Sequence, residues 1–151
     1  MALVSSVIDI QKPAAEVFAL ASRVEEFPEF MPDVISVDVE SREADGSTIT
    51  RWKARVKVQS INKIVEWSER EMWDAEALSC KYEQVEGDFK VYYGDWSFVT
   101  LDSGATQVTL NVEFDLGIPL VGPLIAKLLN RIMQNNCDGM LKAIKEKAED
   151  G

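Results

Sequence analysis

The 151-residue chain contains no histidine. That removes Ser-His and Cys-His nucleophile pairs, His-bearing zinc sites and the usual general base at neutral pH. Any catalysis must fall to carboxylates, Tyr, Lys, Arg or held water. Glu69 is the candidate catalytic residue. It shares strand parity with Trp67, and a carboxyl at a cavity mouth with its pKa raised by burial could serve as base in an aldol-type cyclisation. The alternative is a solvated strand-end acid beside Arg70, and a slip in register would exchange the faces of the two. Tyr82 is either a donor-acceptor inside a site or an ordinary buried tyrosine. Asn136 falls in the middle of an apolar helix face, where an amide loses water and needs partners. It is either a satisfied core amide or a hook for a ligand carbonyl or hydroxyl.

Around these polar groups the sequence sets apolar walls. Trp52, Trp67, Trp96, Phe98 and Phe114 fall on inward strand positions, and Met133 and Met140 lie on the facing helix. Singly, each aromatic is explained as core filling of about 150–250 Å². As a group opposite flexible thioethers they suggest a pocket for an irregular apolar ligand. Phe27, Phe30 and Met31 either cap that pocket as an entrance or close the core. Two cysteines, Cys80 and Cys137, lack metal-type spacing and read as reduced, partly buried thiols. No metal and no cofactor is expected.

Strand and helix signals say how these residues are positioned. A first strand spans Val4–Gln11, Pro13 marks a helix start, and Ala14–Ser22 forms a short helix. The doubly proline-broken segment Glu25–Pro32 reads as a second short helix or turn. Ile35, Val37 and Val39 then alternate with polar residues as a half-buried strand. Asp45-Gly46 reads as a two-residue hairpin turn. That turn pairs Val39 with Trp52, Val37 with Ala54 and Ile35 with Val56, and on the outer face Glu40 with Arg51 and Asp38 with Lys53. Arg51, Lys53 and Arg55 therefore read as solvated salt-pair partners rather than an anion site.

Strands near Lys63–Asp74 and Leu78–Val85 follow. A turn at Gln59-Ser60 would set Trp67 across from Trp52. Glu86-Gly87-Asp88 is the next turn, Gly94 suggests a bulge, and the inward choice between Tyr92 and Tyr93 stays open. The loop Asp102-Ser103-Gly104 pairs Phe98 with Val108, Trp96 with Leu110 and Gly94 with Val112. From Pro119 to Glu149 the period is helical, with Gly122 and Pro123 bending or delaying its start. Ile125, Leu128, Leu129, Ile132, Met133, Met140 and Ile144 share one face. The expectation is one α+β domain over 1–151, an antiparallel sheet of about seven strands around a long C-terminal helix, with two short helices after the first strand.

Composition bounds the function. Chains of this length bury roughly 68–70% of their unfolded surface, enough to tolerate a cavity. The net charge is −10, from 26 acids against 16 bases. That field repels phosphate backbones, so direct nucleic-acid contact is not expected. No apolar run reaches the roughly 18 residues of a membrane span, and the start lacks a signal-peptide pattern. Cytoplasmic residence is the default expectation. A monomer or weak dimer fits, with room for transient membrane or protein contacts.

Several short motifs carry a family resemblance. Phe18-Ala-Leu-Ala-Ser22 with Phe27-Pro-Glu-Phe-Met-Pro32, then Val85-Glu-Gly-Asp-Phe89 and Gly94-Asp-Trp-Ser-Phe98, occur in order. The strand Thr106–Leu116 runs through Gly117-Ile-Pro119 into a long helix with Asn135-Asn136. Together they resemble START-like (SRPBCC) proteins of the polyketide cyclase/dehydrase type, near bacterial relatives of coenzyme Q-binding START proteins and of ribosome-association toxins. The resemblance implies a helix-grip fold whose cavity holds a lipid, isoprenoid quinone or polyketide. It leaves three functions standing: a carrier or chaperone for a small hydrophobic ligand, which leads; a cofactor-independent cyclase, aromatase or dehydratase; and a ribosome- or protein-interacting module. Fold analogy alone does not choose among them.

Overall fold

Residues 2–58, 61–116 and 123–150 are described by a computed structural model. In chain order they form β1 (Ala2–Ile10), α1 (Ala14–Ser22), a 3₁₀ helix (Val24–Glu29), β2 (Val34–Arg42), β3 (Thr48–Val58), β4 (Ile61–Asp74), β5 (Ser79–Gly87), β6 (Val91–Thr100), β7 (Thr106–Asp115) and α2 (Pro123–Asp150). The sheet has seven antiparallel strands in the order β1-β7-β6-β5-β4-β3-β2. β1 and β2 are its two edges, and α1 with the 3₁₀ helix carries the chain from one to the other. This is the open, curved helix-grip arrangement expected from the sequence.

Pro13 stands just before α1 with φ −61° and ψ 148°, so it flanks the helix rather than opening its first turn. Val17, Phe18, Leu20 and Ala21 bury one face of α1. At its end the Arg23 guanidinium and the Ser22 hydroxyl both donate to the Ala19 carbonyl, occupying an acceptor the helix leaves free. Phe27 is fully buried and Met31 nearly so. Phe27 meets Trp52 and Phe30 edge-on, at 5.9 Å in each case. These residues close the core beneath the proline turns.

The two readable hairpins share one turn geometry. In β6–β7 the pairs Phe98–Val108, Trp96–Leu110 and Gly94–Val112 form as expected. Leu101 N–H donates to the Ala105 carbonyl around Asp102-Ser103-Gly104, with Gly104 at φ +89°. In β2–β3 the same three-residue loop occurs at Ala44-Asp45-Gly46, closed by Glu43 N–H on the Ser47 carbonyl, with Gly46 at φ +93°. Asp45 Oδ1 accepts from the Ser47 N–H and hydroxyl, which favours this longer loop over a two-residue turn.

The expected register is therefore wrong. Val37, not Val39, opposes Trp52, Val39 opposes Thr50, and Val34 opposes Ala54. Irregularities at Val34/Ser36 and Val39/Ser41 complete the shift and leave Ile35 exposed while Val34 and Val37 are buried. Asp38 lies opposite Arg51 and Ser36 opposite Lys53. The acids that pair with these bases come from beyond β3: Glu66 and Glu86 for Arg51, and Glu66 for Lys53.

β3 and β4 place Trp52 directly across from Trp67 as expected, and the indoles stack at 5.7 Å and 9°. The Gln59-Ser60 turn lies outside the described residues, as do residues 119–122 and the Ile125 side chain. Gly94 makes no bulge, since its pairing with Tyr82 and Val112 is continuous. A Cβ there would fall 1.9 Å from the Asn111 carbonyl oxygen and 2.5 Å from the Tyr82 hydroxyl. The missing side chain lets Tyr82 reach across β6 and donate to the Asn111 carbonyl at 2.7 Å.

α2 packs chiefly along β1. Gln134 Nε2 donates to the Ser5 carbonyl and Lys145 Nζ to the Asp9 carbonyl, while Glu149 accepts from Gln11 N–H. The buried residues of the C-terminal half are Cys137, Leu141, Ile144 and Ala148. From Leu128 to Asn136 the inward side chains are only half-buried, and the cavity lies beneath that looser stretch.

Candidate functional site

A cavity of about 80 Å³ lies between the sheet and α2. Its aromatic walls are Trp52, Trp67, Tyr82, Phe89, Tyr92 and Trp96, with Met133, Asn136, Cys137 and Met140 contributed by α2. A second lobe of about 110 Å³ shares Val56, Val65, Phe89, Met133 and Asn136 with the first. It is aliphatic, walled by Leu116, Leu129 and Ile132 together with Phe114, and Lys63 also lines it. Asn136 stands where the lobes meet.

The structure brings together most of the residues singled out from the sequence. Trp52, Trp67, Glu69, Tyr82, Trp96, Met133, Asn136 and Met140 line the main lobe, and Phe114 lines the second. Phe98 reaches neither. It packs between Phe18, Trp73 and Trp96, as core beneath α1.

Glu69 is buried at 5% exposure, while Arg70 faces outward near Glu83. The alternative of a solvated acid beside Arg70 does not hold. Glu71, two residues on and on the same face, is also buried at 2% exposure, and it was missed in the sequence. The pattern Trp67, Glu69, Glu71, Trp73 at period two was the available signal. Trp67 Nε1 donates to Glu69 at 2.7 Å, and Trp73 Nε1 to Glu71 at 2.9 Å. Thr50 Oγ1 donates to the other Glu71 oxygen at 2.8 Å and itself accepts from Trp52 Nε1 at 2.9 Å. Each indole thus meets the polar residue two positions away on its own strand.

Burial first, then the Glu71 carboxylate beside it, push the Glu69 carboxyl well above the ordinary range. Two buried acids in contact cannot both ionise cheaply, so they share a hydrogen bond through the Glu69 proton. In that state Glu69 is a hydrogen-bond donor rather than a ready base.

The choice between the tyrosines is resolved: Tyr92 lines the cavity, and Tyr93 is exposed and donates to Glu113. Burial raises the phenols of both Tyr82 and Tyr92 well above the usual value. Tyr82 is a wall, because its hydroxyl is committed to Asn111. Tyr92 is half-buried at the cavity wall, and its hydroxyl has no hydrogen-bond partner among the described residues. The Asn136 amide likewise has none and opens onto both lobes. Cys137 is a weak nucleophile here, since burial pushes its thiol up to about 12. No helix among the described residues is long and apolar enough to cross a membrane.

The curved sheet, the long gripping helix and the cavity between them define a START-like, SRPBCC-type fold. The profile of the family described as polyketide cyclase/dehydrase and lipid transport matches residues 10–141, and the chain belongs to that family. It is 33% identical to TTHA0849 from Thermus thermophilus, with a TM-score of 0.88 over 99% of this chain and 98% of that one. The ZhuI aromatase/cyclase from Streptomyces sp. R1128 shares the fold at 22% identity and a TM-score of 0.84, over 98% and 93% of the two chains. The ribosome association toxin RatA of Vibrio cholerae is 26% identical over 137 residues, 88% of each chain.

Proposed function

We propose that this chain is a non-covalent carrier or chaperone for a small, largely apolar ligand held in the two-lobed cavity between sheet and helix. One observation carries the reading. The half-buried Tyr92 and Asn136 present polar groups to a largely apolar cavity with no protein partner among the described residues, the few convergent polar groups on apolar walls that mark a ligand pocket. A bound molecule completes them. Aromatic walls in one lobe and aliphatic walls in the other suit a ring-bearing ligand with an alkyl portion. Family membership is consistent with such cargo.

Native mass spectrometry after gentle purification tests the reading. The wild-type chain is expected to carry added mass that organic solvent extracts. Asn136→Leu should fold and lose most of that mass. A wild-type chain that stays empty under conditions retaining lipids would refute it.

The buried Glu69–Glu71 pair favours one second reading, a cyclase or dehydratase needing no cofactor, with Glu69 delivering a proton to a ligand carbonyl. Turnover of a poly-β-keto substrate, lost in Glu69→Gln, distinguishes it from a carrier. The likeness to ribosome association toxins leads to a separate check, comigration with ribosomes in a gradient, and the net charge of −10 argues against direct RNA contact.

A further inference from the structure

The segment Val85-Glu-Gly-Asp-Phe89, where β5 turns into β6, is tied to the sheet from three sides. Ser68 pairs with Glu86 and Glu69 with Gln84, so Val85 is the extra residue of a bulge and is exposed. Gln84 turns its amide onto the chain beyond the bulge. Its Nε2 donates to the Phe89 carbonyl at 2.8 Å, and its Oε1 accepts from the Phe89 N–H at 3.2 Å. One side chain thus holds both backbone polar groups of Phe89. Asp88 is bound to β4 in the same two-sided way, its N–H donating to the Glu66 carbonyl and its carboxylate accepting from the Glu66 N–H. On the far side Lys90 N–H donates to the Asp115 carbonyl of β7. Gly87 lies opposite Trp67, where a Cβ would fall 2.5 Å from the Trp67 Cα and 2.8 Å from Gln84 Oε1. The bare backbone lets the turn close on β4 with the Gln84 amide in place.

What this anchoring fixes is the Phe89 ring. It stacks on Tyr92 at 4.5 Å and 26° and meets Trp67 edge-on at 5.5 Å. Five residues line both lobes of the cavity, Val56, Val65, Phe89, Met133 and Asn136, and so bound the passage between them. Phe89 is the one ring among these five, and it is buried. Met133 and Asn136 belong to the half-buried stretch of α2 and have flexible or short side chains. Phe89 has neither freedom, because its backbone is bonded on both sides and its ring is packed between two others.

We propose that Phe89 is the specificity-determining residue of this cavity, a fixed partition that narrows the passage between the lobes. A ligand that spans both then joins a ring in the aromatic lobe to an unbranched chain in the aliphatic one. Gln84 is the positioning residue for that partition. The proposal rests on the reading that the cavity holds a ligand, and it adds the ligand's shape: branching beside the ring meets Phe89.

Isothermal titration with two isomers, 4-n-pentylphenol and 4-tert-pentylphenol, tests this with head group and carbon count held constant. The wild-type chain is expected to bind the linear isomer at least about tenfold more tightly than the branched one. Phe89→Ala should gain affinity for the branched isomer and bring the ratio close to one. A damaged fold would weaken both isomers, so a gain in one reports the passage itself. Phe89→Leu, the smaller change in volume, should move the ratio in the same direction and carries the test if the alanine variant folds badly. Gln84→Leu removes both bonds to Phe89 and should lower the ratio measured within that variant; an unchanged ratio there removes Gln84 from its positioning role. Equal wild-type affinities for the two isomers, or a ratio that persists in both Phe89 variants, overturn the partition while the ligand-binding reading stands. Absence of binding by both isomers overturns the shape rule, and the ligand-binding reading falls with it if native mass spectrometry also finds the wild-type chain empty.

Discussion

Replacing Glu69 by Gln isolates the energetic consequence of the buried acid pair. In the unfolded chain this carboxyl titrates near its ordinary value of 4.5, whereas in the fold burial and Glu71 hold the proton to well above that. Below about pH 4.5 both states are protonated and the group contributes nothing to the pH dependence. Above it the folded chain binds one more proton than the unfolded chain. Stability therefore falls by about 1.4 kcal/mol per pH unit until the folded carboxyl itself ionises.

The substituted glutamine does not titrate. Its amide can still donate to Glu71, and its carbonyl can still accept from the Trp67 indole. The stability of Glu69→Gln relative to wild type should thus improve as pH rises above about 4.5, by about 1.4 kcal/mol per pH unit for as long as the wild-type carboxyl keeps its proton. Urea unfolding followed by tryptophan fluorescence, run on both proteins at matched pH values, measures this difference. Taking the difference cancels the exposed groups that shift the other way, Asp45 and Glu149. A difference that stays flat over that rise would show that Glu69 is ionised in the fold, and the account of the pair would fail.

Two further outcomes follow from backbone and edge geometry. Gly94→Ala should lose about 3 kcal/mol or more in denaturant unfolding, because its Cβ meets the Asn111 carbonyl oxygen at 1.9 Å and backbone cannot yield as a side chain can. Gln134→Ala combined with Lys145→Ala should cost about 1–2 kcal/mol, since it removes donors to the Ser5 and Asp9 carbonyls. Hydrogen exchange should then quicken in β1 before it does in β4; equal protection of the two strands would count against the edge contacts.

What was legible in the sequence was whatever local spacing determines. The α1 limits, Ala14–Ser22, came from Pro13 and the apolar residues that follow it, and the β6–β7 register from strand alternation and one glycine-ended loop. The β2–β3 register failed because Asp45-Gly46 serves two turn types, and the one adopted depends on Asp45 bonding Ser47. The bulges in β2, which packs against the 3₁₀ helix, leave no mark in the alternation of Ile35, Val37 and Val39. Gly94 signalled that something crowds the backbone but not what, because the crowding groups, the Tyr82 hydroxyl and the Asn111 carbonyl, sit on the two neighbouring strands. Most cavity-lining aromatics were recovered because strand parity assigns faces. Glu71 was missed because a charged residue reads as outward until its donors, Thr50 and Trp73, are known. Phe98 has the right parity but lies beneath α1, a distinction only the tertiary arrangement makes.

Stacking of such sheets into a fibre needs two free ladder edges on every copy. Side chains of α2 occupy backbone groups along β1 at Ser5, Asp9 and Gln11, while β2 pairs only with β3 among the described residues. A protein with one receptive edge can add a single neighbour through it. The helix that grips the cavity thus also covers part of one ladder edge, leaving β2 the more open edge for strand addition.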